Sequence, residues 1–106
     1  MNKILTHIEQ NITGIWYNNN NNYSFAFSKN GSSNNVSYKN KKIFPNGGSQ
    51  GKFWIKEHAY GYVLEIILFD GENPASKMIL IVEDFDSTSL KVRSINNDVE
   101  IFTKVA

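Results

Sequence analysis

The sequence contains no cysteine, which excludes disulfide bridges, thiolate metal centres, thiol catalysis and anchoring through a lipid-modified cysteine. It has only two histidines, His7 and His58, and neither lies at a spacing from other ligand residues that a metal site requires. It has no Gly-x-Ser-x-Gly nucleophile elbow and no glycine-rich phosphate loop. We therefore expect a protein that is not an enzyme, with no catalytic residues, no metal and no cofactor.

An excess of charge of one sign is also absent, because 11 Lys and Arg residues are balanced by 10 Asp and Glu residues, for a net charge of +1. This balance excludes the strongly basic surface of a nonspecific nucleic-acid binder. No apolar run approaches the roughly 18 residues of a membrane span, and segment 1–10 lacks the continuous apolar stretch of a signal peptide. We expect no nucleic-acid partner, no membrane association and a cytoplasmic location, with a trimmed secreted form as the alternative.

Hydrophobic residues make up 41% of the 106 positions, which is enough for one folded domain over 1–106. Ile4, Leu5 and Ile8 recur at helical spacing and predict a short helix over 1–11. From 12 to 105 the chain alternates between apolar-rich segments and turn signals, the pattern of an antiparallel barrel or sandwich. The predicted strands are 12–18, 22–29, 33–39, 50–58, 61–69, 77–85, 89–95 and 98–105.

A turn at 60–61 predicts the register of one hairpin, because it places Lys56 opposite Glu65 and apolar residues opposite each other on the other face. In this register Trp54 points outward between two lysines. Apolar residues on the neighbouring strand share its face: Val63, Ile67 and Phe69. Such an exposed aromatic patch is typical of a protein interface. The alternative is that a loop or the helix covers it, or that the register differs.

A turn at 96–97 predicts the register of the last hairpin, with Arg93 opposite Glu100 and pointing outward. Ile101 then faces the interior. The strand 77–85 alternates poorly between polar and apolar residues and predicts a β-bulge.

A short motif, Gly14-Ile15-Trp16, opens the first predicted strand directly after the helix. Segments with matching features follow at 23–31, 51–55, 85–92 and 102–105. In this order and spacing, over 4–105, they resemble lipocalins and the bacterial lipocalin-like domains of calycin type. The resemblance implies an all-β fold: an eight-stranded antiparallel up-and-down β-barrel over 12–105 whose short N-terminal helix closes one end. It also implies that Trp16 packs under the barrel against a basic side chain, for which Lys104 is the expected residue.

The first function hypothesis is a non-enzymatic binding protein that holds a small apolar ligand inside the barrel. Its predicted ligand-binding residues are Tyr23, Phe25, Phe27, Phe53, Ile55, Glu57, Leu64 and Ile66. Glu57 either orients a polar group of the ligand at the barrel rim or lies in water at a frayed hairpin end. Loop 40–49 is either a lid over the barrel or a connection without a role.

The second function hypothesis is a protein-interaction module that uses the outer face around Trp54. Its predicted interface residues are Trp54, Val63, Ile67 and Phe69. The partner is either a second copy of the chain or a different protein. In the second case this chain would bind its partner as an inhibitor or an immunity protein does. Lysines beside aromatic residues also occur in single-strand nucleic-acid binders, but the acidic residues of this chain argue against a continuous positive groove.

Overall fold

The structure is a computed structural model that describes residues 3–18, 20, 22–40, 48–59, 61–70 and 72–106. The proposed lid at 40–49 lies largely outside these residues, as does Tyr60 of the predicted turn. The described part of the chain contains one helix and eight strands. Their bounds are α1 Lys3–Asn11, β1 Gly14–Asn18, β2 Tyr23–Asn30, β3 Ser33–Asn40, β4 Ser49–His58, β5 Gly61–Asp70, β6 Asn73–Phe85, β7 Ser89–Ser94 and β8 Val99–Lys104.

The strands form a closed antiparallel barrel in which each strand pairs with its neighbours in the sequence. The barrel closes where β1 meets β8, with Trp16 opposite Lys104 and Tyr17 opposite Thr103. Closure gives the first and last strands a partner and so removes the edges at which sheets pair with other chains. The predicted fold, an eight-stranded up-and-down barrel with one N-terminal helix, is confirmed.

The helix closes one end of the barrel beneath Trp16, which is 0% exposed and packs with the buried Ile8 and Ile12. The indole Nε1 donates a hydrogen bond to the carbonyl oxygen of Ile12 at 2.7 Å. Lys104 Nζ lies 5.7 Å from the centre of the indole ring and donates to the carbonyl oxygen of Asn11 at 3.1 Å. Lys104 is therefore the basic partner of Trp16, as expected, and it ties the end of the helix to the last strand.

In the β4–β5 hairpin the predicted register is wrong by two residues. Trp54, rather than Lys56, lies opposite Glu65, and His58 pairs with Gly61. Because side chains alternate with a period of two, an even shift leaves every residue on its predicted face. Lys56 Nζ still reaches Glu65 Oε2 diagonally at 3.1 Å. The pairing of opposite charges could not distinguish the two registers, because Lys56 and Glu65 come together in both.

In the β7–β8 hairpin the predicted register is wrong by one residue, and this odd shift reverses the faces of β8. Val92 lies opposite Glu100. Ile101, predicted to face inward, is 51% exposed, whereas Phe102 is 1% exposed. The correction brings Glu100 to the inner face of the barrel.

The turn between β7 and β8 explains the shift. Asn97 is left-handed at a φ of 66°, and its N–H donates to the carbonyl oxygen of Ser94 at 3.0 Å. The N–H of Ser94 donates in turn to the carbonyl oxygen of Asp98 at 2.9 Å. This is a hairpin connection over 95–97 whose last residue is left-handed, rather than the two-residue turn at 96–97.

The bulge that the poor alternation of β6 predicted is present. The register of β6 against β7 shifts between Val82 and Asp84, which leaves Glu83 as the extra residue. Glu83 forms an ion pair with Arg93. Arg93 therefore pairs with the bulge residue Glu83. The predicted register, which placed Arg93 opposite Glu100, is wrong here.

Asp86 is expected to make the stability of the barrel sensitive to acid. Its Oδ1 accepts hydrogen bonds from the N–H of Thr88 at 2.8 Å, the hydroxyl of Thr88 at 3.0 Å and the N–H of Ser89 at 2.8 Å. These bonds, led by the one from the Thr88 N–H, lower the pKa of Asp86 below its ordinary 3.8. A lowered folded-state pKa adds stability above the unfolded pKa, and that stability is lost as the pH falls through the folded value.

The Asp86→Asn variant tests this contribution by urea unfolding at neutral pH and well below pH 3.8. We expect the variant to be less stable than the original chain at neutral pH and equally stable at the low pH. Glu72→Gln, which removes an exposed carboxylate from the opposite end of the barrel, is the control and should show a smaller difference. A stability gap for Asp86→Asn that does not change with pH would contradict the prediction.

Candidate functional site

The barrel has a mouth at the end opposite the helix. The helix lies beside the β2–β3 and β6–β7 connections, since Glu9 is 3.8 Å from Lys29 and the ring of His7 is 5.6 Å from that of Phe85. In an up-and-down barrel the alternate connections, including β7–β8, lie at the other end. Inward-facing side chains near that end define what we call the mouth: Asn18, Tyr23, Asn40, Met78, Leu80 and Glu100.

The middle of the barrel is filled by aromatic rings. Phe27 and Phe53 lie 4.9 Å apart between ring centres, and Phe25 lies 5.6 Å from Phe102. All of these rings are at most 2% exposed. The interior of an eight-stranded barrel is just wide enough for such side chains.

Several residues that the sequence predicted as ligand-binding belong to this core. The buried ones, each at most 2% exposed, are Phe25, Phe27, Phe53, Leu64 and Ile66. Tyr23 and Ile55 are half-buried and pack against the same cluster. Glu57 is exposed, lies opposite Tyr62 and sits near the helix end, far along β4 from the mouth.

The mouth contains a cleft of about 370 Å³ between β6 and the β7–β8 turn. It forms because β7 pairs with β6 only as far as Ser94 opposite Leu80, whereas β6 begins at Asn73. The lining residues are Tyr23, Lys77, Met78, Ile79, Leu80, Val92, Ser94, Ile95, Asn96, Asp98 and Glu100. The cleft thus combines an apolar wall with carboxylates, within the size range of small-molecule sites, about 300–1,000 Å³.

Glu100 is held at this cleft by a buried amide. Asn18 is 1% exposed, and its Nδ2 donates to Glu100 Oε2 at 3.0 Å. The Oδ1 of Asn18 accepts a hydrogen bond from the N–H of Asn20 at 3.0 Å. Since only the amide oxygen can accept, this bond fixes the orientation of Asn18 and directs its Nδ2 towards the carboxylate.

An aromatic wall adjoins the carboxylate. The ring of Tyr23 lies 5.6 Å from that of Tyr38 and 5.5 Å from that of Phe102. The hydroxyl of Tyr38 accepts a hydrogen bond from Asn40 Nδ2 at 2.9 Å. The mouth is therefore a layer of polar and aromatic side chains that lies over the apolar core.

The sequence interpretation missed Glu100 because the predicted register placed it on the outer surface. The signal that could have found it is the asparagine-rich turn before β8, since Asn is one of the few residue types that tolerate the left-handed conformation of Asn97. That geometry selects the longer hairpin connection and turns Glu100 inward.

The histidines do not contribute to the mouth. His7 lies on the helix, where Asn11 Nδ2 is 3.2 Å from its Nδ1, and His58 is exposed at the end of β4. Within the described ranges, no three His, Asp or Glu side chains converge as a metal site would need.

The outer face of β4, β5 and β6 carries a second feature. Trp54 is 39% exposed, and Val63, Ile67 and Phe69 are half-buried on the same face. An apolar cleft of about 220 Å³ lies beside them, and its lining residues are His58, Gly61, Tyr62, Val63, Ile79 and Ile81. The sequence interpretation missed Ile79 and Ile81. We use the name outer patch for Trp54, Val63, Ile79 and Ile81.

Glu65 lies among the residues of the outer patch and is neutralised there. Its Oε2 is 3.1 Å from Lys56 Nζ and its Oε1 is 3.6 Å from Lys77 Nζ. The hydrogen bond from Lys56 lowers the pKa of Glu65, and the charge of Lys77 acts in the same direction. Covering a charged group with a partner costs desolvation free energy, and this cost is lower when the charge is already paired. The ion pairs of Glu65 therefore lower the free-energy cost of burying this apolar surface in an interface.

No protein-family model matches the sequence, and no significantly similar curated protein or solved structure was found. The helix in the described part of the chain is too short to cross a membrane.

Proposed function

We propose that this protein is a lipocalin-like binding protein that holds a small ligand at the mouth of its barrel, without catalysis. The observation that carries the proposal is the cleft of about 370 Å³ in which Glu100 lies over an apolar wall. The closed barrel with a helix under Trp16 supports the lipocalin-like assignment, because this is the architecture that the sequence resemblance implies.

The mouth is a better place for the ligand than the middle of the barrel, because phenylalanine rings occupy the middle. The half-buried Met78 and Leu80 offer apolar contact to the ligand at the cleft. A ligand that buries about 200 Å² of apolar surface gains roughly 5 kcal/mol before the cost of association. Because about 5 kcal/mol corresponds to a dissociation constant of about 0.2 mM before that cost, we expect weak affinity, no tighter than tenths of a millimolar, and a ligand with an apolar body and one polar end.

Filling the cleft is expected to abolish binding of a neutral apolar probe. N-phenyl-1-naphthylamine, which fluoresces when its surroundings become apolar, should bind the original chain saturably. Leu80→Trp puts an indole into the cleft and should weaken this binding at least about tenfold, since one displaced contact group of this size is worth more than 1.4 kcal/mol. Fluorescence titration measures the affinity, and circular dichroism checks that the fold is retained.

Ile101→Trp is the matched control for this experiment, because Ile101 is 51% exposed on the outer face of β8. It makes a similar change outside the cleft and should leave the affinity for the probe unchanged. Equal binding by Leu80→Trp and the original chain, or no saturable binding by the original chain, would rule out the mouth as a ligand site.

The outer patch favours a second function, self-association. Its specific support is Trp54, which is 39% exposed on the same face as Val63, a lining residue of the apolar cleft of about 220 Å³. Tryptophan is enriched among the residues that dominate binding energy at interfaces. A second copy of the chain presents the same patch, so that a twofold contact would cover both at once.

A further inference from the structure

We propose that two copies of the chain join by reciprocal insertion, in which Trp54 of each copy enters the apolar cleft on the outer face of the other. The inference rests on the self-association proposed above and adds how the two copies fit together. It is carried by the exposure of Trp54, by the apolar cleft of about 220 Å³ on the same face, and by opposite charges at the two ends of that face.

Trp54 and the cleft lie on neighbouring strands of one face, but the indole of a chain does not line the cleft of that chain. Trp54 pairs with Glu65 across β4 and β5. Val63, which lines the cleft, is two residues from Glu65 on the same face of β5. Trp54 is not among the described lining residues and is 39% exposed. Each chain therefore presents both a projecting aromatic side chain and a cleft that can receive one.

The cleft suits an aromatic ring. Val63, Ile79 and Ile81 give it apolar walls, and Tyr62 adds an aromatic one. An apolar cavity of about 150 Å³ is large enough to bind benzene. A cleft of about 220 Å³ therefore has room for the larger indole ring. Tryptophan side chains that dominate the binding energy of an interface lie in pockets of this kind, where packing excludes water.

A second copy of the chain is the partner that fits this face. In a twofold contact, residue i of one copy meets residue j of the other, and residue j of the first meets residue i of the second. One arrangement therefore places both indoles in both clefts. Since the two halves of the contact lie on a single face, the chain is complementary to itself.

Lysines lie at the Trp54 end of the face. Lys52 on β4 and Lys77 on β6 both pair with Ile67, so they form one row across the three strands. Ile67 is two residues from Glu65 in the direction away from Val63, which places this row on the far side of Trp54 from the cleft. Lys52 Nζ donates to Asn35 Oδ1 at 2.5 Å, and this neutral acceptor leaves the charge of the lysine uncompensated.

Carboxylates lie at the cleft end. Glu57 is exposed opposite Tyr62, a lining residue of the cleft, and forms no ion pair with another described residue. Glu83 lies at the same end, with its charge paired by Arg93. Inserting Trp54 into the cleft of a second copy exchanges the two ends of the face. The lysine row of each copy then faces the carboxylate end of the other, which is the electrostatic complementarity that selects one arrangement over others.

Two variants, each studied by sedimentation velocity, remove the two halves of the contact. Trp54→Ala removes the inserted side chain. Ile79→Trp fills the cleft from β6, where Ile79 is 36% exposed, so that the barrel should tolerate the larger side chain. Each dominant aromatic contact is worth roughly thirtyfold in affinity, and a pair of identical variant chains loses both contacts. We expect either variant alone to associate roughly a thousandfold more weakly than the original chain.

An equimolar mixture of the two variants is the decisive measurement. Trp54 of the Ile79→Trp chain still enters the unfilled cleft of the Trp54→Ala chain, so the mixed pair keeps one of the two contacts. We expect the mixed pair to be about thirtyfold tighter than either variant alone and about thirtyfold weaker than the original chain. A contact that stacks Trp54 on Trp54 would regain nothing on mixing, because one of the two indoles is missing.

Ile15→Trp is the matched control for the cleft-filling variant. Ile15 is 40% exposed on β1, outside the outer patch, so the same substitution there should leave the association unchanged. Circular dichroism checks the fold of each variant. Val63→Trp fills the same cleft from β5 and replaces Ile79→Trp in the experiment where that variant loses the spectrum of the barrel.

The failures of the two proposals are distinguishable. Association of folded Ile79→Trp as tight as that of the original chain would overturn the role of the cleft. A mixture no tighter than either variant alone, beside a dimeric original chain, would overturn reciprocal insertion while leaving self-association in place. A strictly monomeric original chain would overturn both.

Discussion

Replacing Trp16 with alanine is expected to remove a large share of the free energy of unfolding of the barrel. Trp16 is 0% exposed, its ring lies 5.7 Å from that of Phe85, and its Nε1 donates to Ile12. Truncating a buried aromatic residue costs about 3–5 kcal/mol, and the carbonyl oxygen of Ile12 also loses its indole donor. Because a domain of this size is stable by only about 5–15 kcal/mol, the loss removes a large share of the total.

The loss is measured by urea unfolding followed by circular dichroism, with Trp54→Ala as the matched control. Trp54 is 39% exposed on the outer face, so the same truncation there should cost only about 1 kcal/mol. Trp16→Phe keeps a ring under the barrel but removes the hydrogen bond to Ile12, and should be intermediate. A melting temperature of Trp16→Ala within a few degrees of the original chain would show that the helix end of the barrel does not depend on this residue.

The barrel could be predicted from the sequence because its signals are local. Turn residues such as Asn30-Gly31 recur between short apolar segments, and each strand pairs with the next one along the chain. Closure at β1 and β8 follows when such a sheet curls upon itself. The helix was predictable as well, since its apolar residues recur at the helical period and lead directly into the Gly14-Ile15-Trp16 motif.

The faces of β8 could not be predicted from the alternation of polar and apolar residues, because that pattern is misleading in this strand. Placing Ile101 inward and Glu100 outward satisfies the usual rule for a half-buried strand. The structure instead buries Phe102, with Glu100 on the same face at the mouth and Lys104 on it beside the helix. Both charges are tolerated there because each lies at an end of the barrel and has polar partners, Asn18 for Glu100 and the carbonyl oxygen of Asn11 for Lys104.

The candidate site depends on contacts between residues that are far apart in the sequence. Asn18 and Glu100 are separated by 82 residues, and no local pattern indicates that they meet. The predicted ligand-binding set came instead from the inward alternation of β2, β4 and β5, which identifies interior positions but does not tell a packed core from a cleft. By contrast, the outward direction of Trp54 was predictable, because an error of two residues in register preserves the face.

The original chain is expected to be a dimer at micromolar concentration, and Trp54→Lys is expected to make it a folded monomer. The substitution puts a charge into the outer patch beside Lys56, and a twofold contact brings that charge to the interface twice. Losing a dominant aromatic contact costs about 2 kcal/mol, so the two copies together weaken association by about 4 kcal/mol, or roughly a thousandfold. Within one chain the new lysine lies opposite Glu65, a favourable cross-strand pair that helps the monomer to stay folded.

Sedimentation velocity over a range of concentrations measures this change, and circular dichroism checks the fold of the variant. Ile101→Lys is the matched control, because it also places a lysine at an exposed apolar position, on β8 outside the outer patch. The control should remain a dimer, since only a charge within the contact is buried when two copies meet. A strictly monomeric original chain would rule out self-association through this face. A dimer that withstands Trp54→Lys but dissociates in Ile101→Lys would move the contact to the outer side of β8, where Val99 and Ile101 are about half exposed.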